Sequence, residues 1–224
     1  MLVLPASAGD RALLNVIGYS EDARYFAFEE YGLHDGSGFA YSTIYVVDLP
    51  ADKWAGGSPF RAEASDETDV QPFAEVRTEA MTKARAALLS AGVTAPAEIL
   101  WLDGTAEGDG KSVAFSYGPI LSEGNYLSVK LATAPAQSSL DCVTLTGKQA
   151  LGFTLRAAAD EGTGTLRHDD AGKIPASRGC STDYRIYAVV RPADALAHLV
   201  AIIASYPFGF EGPDRRFLVV PIDK

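Results

Sequence analysis

The chain has 224 residues and a formal net charge of −10 at pH 7, which disfavours nucleic acid as a partner because a phosphate backbone is itself anionic. Hydrophobic residues make up 47% of the chain and charged residues 21%, as in a globular protein with a substantial core. No apolar run reaches the roughly 18 residues that a membrane-spanning helix needs, so we expect no transmembrane segment.

The first eight residues, MLVLPASA, have the pattern of the end of a secretory signal. An apolar stretch precedes Ala6-Ser7-Ala8, which fits a small-residue cleavage site. We therefore predict a signal remnant over residues 1–8 and a single β-rich domain over residues 9–224. The alternative is a short apolar N-terminal strand in a cytosolic protein.

The first predicted strands lie at residues 12–18 and 24–31, and a return strand follows at residues 43–49. In the second strand, Phe26 and Phe28 are expected to face one side and their neighbours the other, because strand side chains alternate. A glycine-punctuated loop separates the second strand from the third. The pattern predicts a β-hairpin with a long connection.

One amphipathic helix is predicted at about residues 72–91. Pro72 suits the first turn of a helix and Gly92 suits its C-terminal end. A single stripe at helical spacing joins Phe73, Val76, Ala80, Ala84, Leu88 and Ala91. Such a stripe is typical of a packing face, so we expect a helix inserted into a β domain.

After the helix the pattern is β again. Residues 99–102 and 112–117 are predicted to form a hairpin. Further strands are predicted at residues 126–133, 142–145, 152–156, 184–190, 199–206 and 216–222, with a long loop or weak hairpin over 157–183. About ten short strands and one helix indicate a mainly β fold, an antiparallel sandwich or a distorted barrel.

The last hairpin, residues 199–222, has the same pattern as the first: an apolar strand, a glycine-rich loop and a strand with paired valines. If the two hairpins lie side by side, the loops 33–41 and 207–214 meet at one end of the domain. The residues at this end that we predict to bind a partner or ligand are Tyr31, His34, Asp35, Phe39, Glu211, Asp214 and Arg215.

The two cysteines, Cys142 and Cys180, lie 38 positions apart, too far for a redox pair, and no histidine pattern around them suggests zinc. In an oxidising compartment they would most simply form a disulfide, which stabilises a fold by roughly 3–4 kcal/mol for a loop of this length. The alternative is two buried free thiols.

Nucleophilic catalysis has little support in the sequence. Only three histidines are present, and no G-x-S-x-G elbow occurs. The segment from His34 to Ser37 contains the residue types of a catalytic triad, but sequence neighbours rarely adopt triad geometry. We predict no catalytic residues, no metal site and no cofactor.

Residues 20–28 (SEDARYFAF) with 44–49 (IYVVDL) resemble one blade of a TolB-type β-propeller, with Ala23 in place of the usual turn glycine. A propeller needs at least about four blades, and only one is visible.

The segments NVIGYSED (15–22), YFAFE (25–29), DGSGF (35–39) and GFEGPDRRF (209–217) resemble a bacterial family of predicted secreted proteins, domain of unknown function 2259. The resemblance implies export to the periplasm or the medium and gives no catalytic residues. We therefore expect an exported, non-catalytic binding or envelope-associated protein with an unknown protein or small-molecule partner. The alternative is a hydrolase that uses carboxylates and His34 at the terminal hairpin loops.

Overall fold

The computed structural model describes residues 9–64, 72–103, 108–117, 126–159, 162–170, 172–209 and 211–222, so the predicted signal remnant lies outside the described residues. In chain order the elements are β1 (Leu13–Ser20), β2 (Tyr25–Leu33), β3 (Ala40–Asp48), β4 (Lys53–Trp54), β5 (Phe60–Glu63), α1 (Phe73–Ser90), β6 (Val93–Ala95), β7 (Ala97–Leu102), β8 (Ser112–Ser116), β9 (Tyr126–Pro135), α2 (Cys142–Thr146), β10 (Leu151–Ala158), β11 (Thr165–Asp169), the 3-10 helix η1 (Ala176–Arg178), β12 (Ser181–Pro192), β13 (Val200–Pro207) and β14 (Arg216–Pro221).

The described strands form three antiparallel sheets. The helix-side sheet has the order β4-β3-β2-β1-β6, with β5 also paired to β3. The central sheet has the order β14-β13-β12-β7, and the distal sheet has the order β11-β10-β9-β8. The prediction of a mainly β, antiparallel fold is confirmed as a stack of sheets, and these strands do not close into a barrel.

The central sheet is buried on both faces, and β13 shows how the sequence produces this. Val200, Ile202 and Ala204 pack against the helix-side sheet. Ala201 and Ile203 point the other way and pack against the distal sheet. A strand covered on both sides needs no polar alternation, which explains the continuous apolar run in this part of the sequence.

The helix-side sheet carries one core on each face, as the alternation in β2 predicts. Phe26 and Phe28 face the central sheet, and Ala27 faces α1. Glu29, also on the helix side, is buried and accepts two hydrogen bonds from the Arg77 guanidinium, at 2.8 and 2.7 Å. Burial would raise the pKa of Glu29, but the bonds from Arg77, Asn15 and Ser42 hold it below its ordinary value.

Helix α1 confirms the predicted inserted helix. Pro72 directly precedes it, and it buries Val76, Ala80, Ala84 and Leu88 against the helix-side sheet. These four residues belong to the predicted apolar stripe. The helix therefore forms a fourth layer on the face of the stack opposite the distal sheet.

The strand predicted at residues 142–145 is wrong, because this segment forms the short helix α2. The Asp141 side chain accepts a hydrogen bond from the Thr144 amide and caps the helix. Gly147 ends it with a φ of 72°, a left-handed conformation that glycine adopts readily. Local capping thus outweighs the β-branched composition. The predicted disulfide is confirmed: Cys142 and Cys180 are bonded, with Cα atoms 5.3 Å apart.

Replacing Asp141 by alanine should lower the free energy of unfolding by a small but measurable amount, because α2 would lose its N-terminal cap. Urea titration followed by circular dichroism measures this difference. Asp141→Asn is the matched control, since asparagine caps about as well. Equal losses in both variants would contradict a capping role.

The hairpin predicted from residues 99–102 and 112–117 is also wrong. Strand β7 pairs with β12 in the central sheet, whereas β8 pairs with β9 in the distal sheet. The chain therefore changes sheets between two strands that are close in sequence. The comparison with a propeller blade gains no support either, because β2 and β3 belong to a six-stranded sheet within a stack.

Candidate functional site

A cavity of about 650 Å³ opens along one edge of the sheet stack, where β14 is the last strand of the central sheet. One wall comes from β3, β4 and β5 of the helix-side sheet. The opposite wall comes from β11 and η1, and β14 lies between the two walls. Three sheets thus contribute to one concave site, of a volume typical for small-molecule ligands.

One wall of the cavity is aromatic. The rings of Phe28 and Tyr45 stack with centroids 4.8 Å apart and planes inclined by 13°. Trp54 continues the series, with its ring centroid 5.7 Å from that of Tyr45. Half of the Trp54 surface is exposed, so this wall offers an accessible aromatic face for stacking.

Glu30 lies in the lining of the cavity and is 2% exposed. Strand alternation places it on the same face of β2 as Phe26 and Phe28. Its carboxyl group accepts hydrogen bonds from the Phe217 amide and from the Tyr45 hydroxyl, the latter at 3.4 Å. Burial raises the pKa of Glu30 to about 7, although these bonds and the charge of Arg216 oppose the shift.

The lining is richer in basic than in acidic residues, in contrast with the net charge of −10 for the whole chain. The basic residues are His34, Lys53, Arg61, His168, Arg178 and Arg216, and the acidic ones are Glu30, Asp52 and Glu63. The acidic side chains at the rim lie close to histidines. Glu63 lies 3.1 Å from His34 Nε2, and Asp52 lies 4.0 Å from His168 Nδ1.

Arg178, at the end of η1, is 12% exposed. Its guanidinium lies over the rings of Phe153 and Tyr184, at 5.5 and 6.0 Å from their centroids. Its Nη2 is 3.7 Å from Asp170, and its Nη1 has no hydrogen-bond partner among the described residues. The guanidinium is therefore held in place, and its Nη1 is buried without a hydrogen-bond partner among the described residues.

Asp10 joins the two terminal hairpin loops at one end of the cavity. Its carboxylate lies 2.7 Å from His34 Nδ1 and 3.0 Å from Arg216 Nη2, and it also accepts from the Asp35 amide. The Asp10 amide donates to Asp214 at 3.0 Å. Burial would raise the pKa of Asp10, but the bonds from Asp35, His34 and Arg216 hold it below its ordinary value.

The structure therefore brings His34, Asp35 and Asp214 together around Asp10. The main chain of Arg215 also pairs with Asp10, while its guanidinium donates to Ala12 O at 3.0 Å. The two hairpins belong to sheets that face each other, so they do not lie side by side in one sheet.

Three of the predicted site residues lie elsewhere. Tyr31 and Phe39 face the helix: the Tyr31 ring is 5.5 Å from that of Phe73, and Phe39 packs against the helix-side core. Glu211 is exposed and does not line the cavity. These residues share loops or strands with the site but point away from it.

The site also includes Asp10, Trp54 and Arg178, which were not predicted from the sequence. The position of Glu30 could have been predicted, because it follows Phe26 and Phe28 at the same spacing of two residues in β2. A charged residue on that inward-facing side of the strand is unusual and indicates a site. The position of Arg178 could not, because it lies in a stretch predicted as a loop or weak hairpin and its contacts, with Phe153, Tyr184 and Asp170, are not indicated by any local pattern.

The His34–Asp35–Gly36–Ser37 loop does not form a catalytic triad. Both ring nitrogens of His34 are close to carboxylates, those of Asp10 and Glu63. The Ser37 hydroxyl instead accepts a hydrogen bond from the Phe39 amide at 3.2 Å. Among the described residues, no group of three or more His, Cys, Asp or Glu side chains is arranged to hold a metal ion.

A family model described as predicted secreted protein (DUF2259) matches residues 27–223, which include the hairpins on both sides of the cavity. No match was found among curated proteins or among solved structures. No helix in the described ranges is long and apolar enough to cross a membrane. The chain thus belongs to the DUF2259 family of predicted secreted proteins, whose function is unknown.

Proposed function

We propose that this protein is an exported, non-catalytic binding protein whose ligand occupies the cavity between β3, β14 and η1. The single observation that carries the proposal is the cavity of about 650 Å³, with an exposed tryptophan on one wall and charged groups around it. Aromatic faces with a few placed polar groups are the usual composition of a small-molecule site. If the protein is exported, its ligand lies in the periplasm or outside the cell. A ligand that is part of the cell envelope would also make the protein envelope-associated.

The two tryptophans of the chain provide a direct test. Trp54 lines the cavity, whereas Trp101 lies on β7, at the opposite edge of the central sheet. We expect the indole N–H resonance of Trp54 in ¹⁵N-labelled protein to shift on titration with members of a library of polar ring compounds. The Trp101 resonance should stay in place and serves as the internal control.

Replacing Trp54 by alanine should weaken binding of the same compounds by about fivefold, since stacking on an accessible ring contributes about 1 kcal/mol. Calorimetric titration measures the change, and Trp101→Phe should bind as the wild type does. If no library member shifts Trp54, or if both resonances shift equally, the proposal of a binding cavity is wrong.

Hydrolysis is a second candidate, favoured by one observation. Glu30 lines the cavity with a pKa of about 7, so it is available near neutral pH as a proton donor. A hydrolase panel at about pH 6 tests this. Turnover that Glu30→Gln abolishes would overturn the non-catalytic proposal, and binding without turnover would support it.

A further inference from the structure

Resting on the proposed binding function, we infer that the ligand is a ring compound carrying an anionic group. Its ring would stack on Trp54 and Tyr45, and its anion would be held by the basic side chains on both walls. An aromatic acid and a sugar acid share this chemistry, and matched probes of each kind separate them.

The first observation is the unequal pairing of charges around the cavity. The acidic rim residues Asp52 and Glu63 each have a histidine within 4.0 Å. Lys53 and Arg61, on β4 and β5, are exposed and form no salt bridge with any residue in the described ranges. With the histidines counted as neutral, the lining still carries four cationic side chains against three carboxyl groups, although the chain as a whole carries −10.

The second observation is Arg178 on the opposite wall. Its nearest carboxylate, Asp170, is 3.7 Å away and already accepts from the Phe153 amide at 2.7 Å. Its Nη1 lacks a partner among the described residues. Nη1 itself is buried, but Arg178 lines the cavity with a side chain that is 12% exposed, and a guanidinium fixed over aromatic rings suits a planar or oxygen-rich anion.

The third observation is the aromatic wall. Tyr45 stacks on Phe28 behind it, which fixes the orientation of its ring. Trp54 is inclined by 49° to Tyr45, so the two rings form an angled surface rather than one flat plane. An angled aromatic surface between basic side chains fits a ligand with a ring at one end and an anion at the other.

Four probes in two matched pairs test the inference: benzoate with benzamide, and glucuronate with glucose. We expect one or both anions to shift the Trp54 indole resonance while their neutral partners do so about tenfold more weakly. Binding of benzoate alone identifies an aromatic acid, and binding of glucuronate alone identifies a sugar acid.

The variants Arg178→Gln and Arg61→Gln should each weaken binding of the anionic probe by about tenfold, since each removes a charge-assisted contact. Arg24→Gln is the control: Arg24 is exposed, pairs with Asp48 and does not line the cavity. Because Arg178 also packs on Phe153, its variant is checked by thermal unfolding, and the exposed Arg61 keeps the test independent of folding.

Equal binding of neutral and anionic probes at Trp54 would overturn the anion inference and leave the proposed binding function standing. Binding of the anions with no loss in either arginine variant would also overturn it. If neither these probes nor the wider library shifts Trp54, the proposed function itself fails.

Discussion

Replacing Glu30 by glutamine should make the protein more stable than the wild type by about 3 kcal/mol near pH 8.5, and should leave stability near pH 4.5 almost unchanged. The pKa of Glu30 is raised by burial from 4.5 to about 7 in the folded protein. Each pH unit of this difference is worth about 1.4 kcal/mol. Glutamine keeps an oxygen for the Phe217 amide but carries no charge.

The direction follows from the protons bound in each state. Between pH 4.5 and about 7, Glu30 is protonated in the folded protein and ionised in the unfolded chain. The folded state therefore binds more protons, and stability contributed by this group falls as pH rises through that window. Above about pH 7 both states are ionised, so the loss is complete and no longer changes with pH.

Urea unfolding of both proteins at several pH values measures the difference in free energy. Asp10 and Glu29 have lowered pKa values, so they contribute a pH dependence of stability with the opposite sign. This contribution cancels when the free energy of unfolding of the wild type is subtracted from that of the variant at each pH. Glu21→Gln, at an exposed position outside the cavity, is the control for the loss of a glutamate carboxylate as such. A Glu30→Gln variant less stable than the wild type at pH 8.5 would show that the carboxylate stabilises the fold.

Breaking the bond between Cys142 and Cys180 should lower the free energy of unfolding by about 4 kcal/mol, because a cross-link over 38 residues restricts the unfolded chain. The bond also ties α2 to the segment after η1, and Arg178 lies two residues before Cys180. We therefore expect the reduced protein to bind its ligand more weakly even where it stays folded.

Urea unfolding with and without a thiol reductant measures the first effect, and Trp54 titration measures the second. The double variant Cys142→Ala/Cys180→Ala should resemble the reduced protein and should not respond to reductant. A reduced protein as stable as the oxidised one would contradict the expected contribution of the cross-link.

Local pattern predicted much of this fold because alternation and helical spacing are local properties. Phe26, Phe28 and the stripe on α1 each point to the layer that covers them. The stacking order of three sheets is non-local: nothing near residues 99–117 indicates that β7 and β8 belong to different sheets. Propensity also failed at α2, where the cap from Asp141 decides the outcome.

The candidate site was only partly predictable for the same reason. The first and last hairpins have similar glycine-rich loops, and this similarity predicted that His34, Asp35 and Asp214 lie near one another. In the structure all three contact Asp10. The opposite wall comes from β11 and η1, within a stretch expected to be a loop or weak hairpin. No periodic pattern marks Arg178, since a disulfide and two aromatic rings fix its position.

Strand β14 is the open edge of the central sheet, and an open edge can recruit a strand from another molecule. Ile222 N donates to Leu199 O, so the alternation of antiparallel pairs turns the backbone groups of Phe217, Val219 and Pro221 outward. The Phe217 amide already donates a hydrogen bond to the Glu30 carboxyl group, and Pro221 has no N–H group that could donate one. The carboxyl group that costs stability at high pH thus also leaves fewer backbone donors on this edge for a further strand.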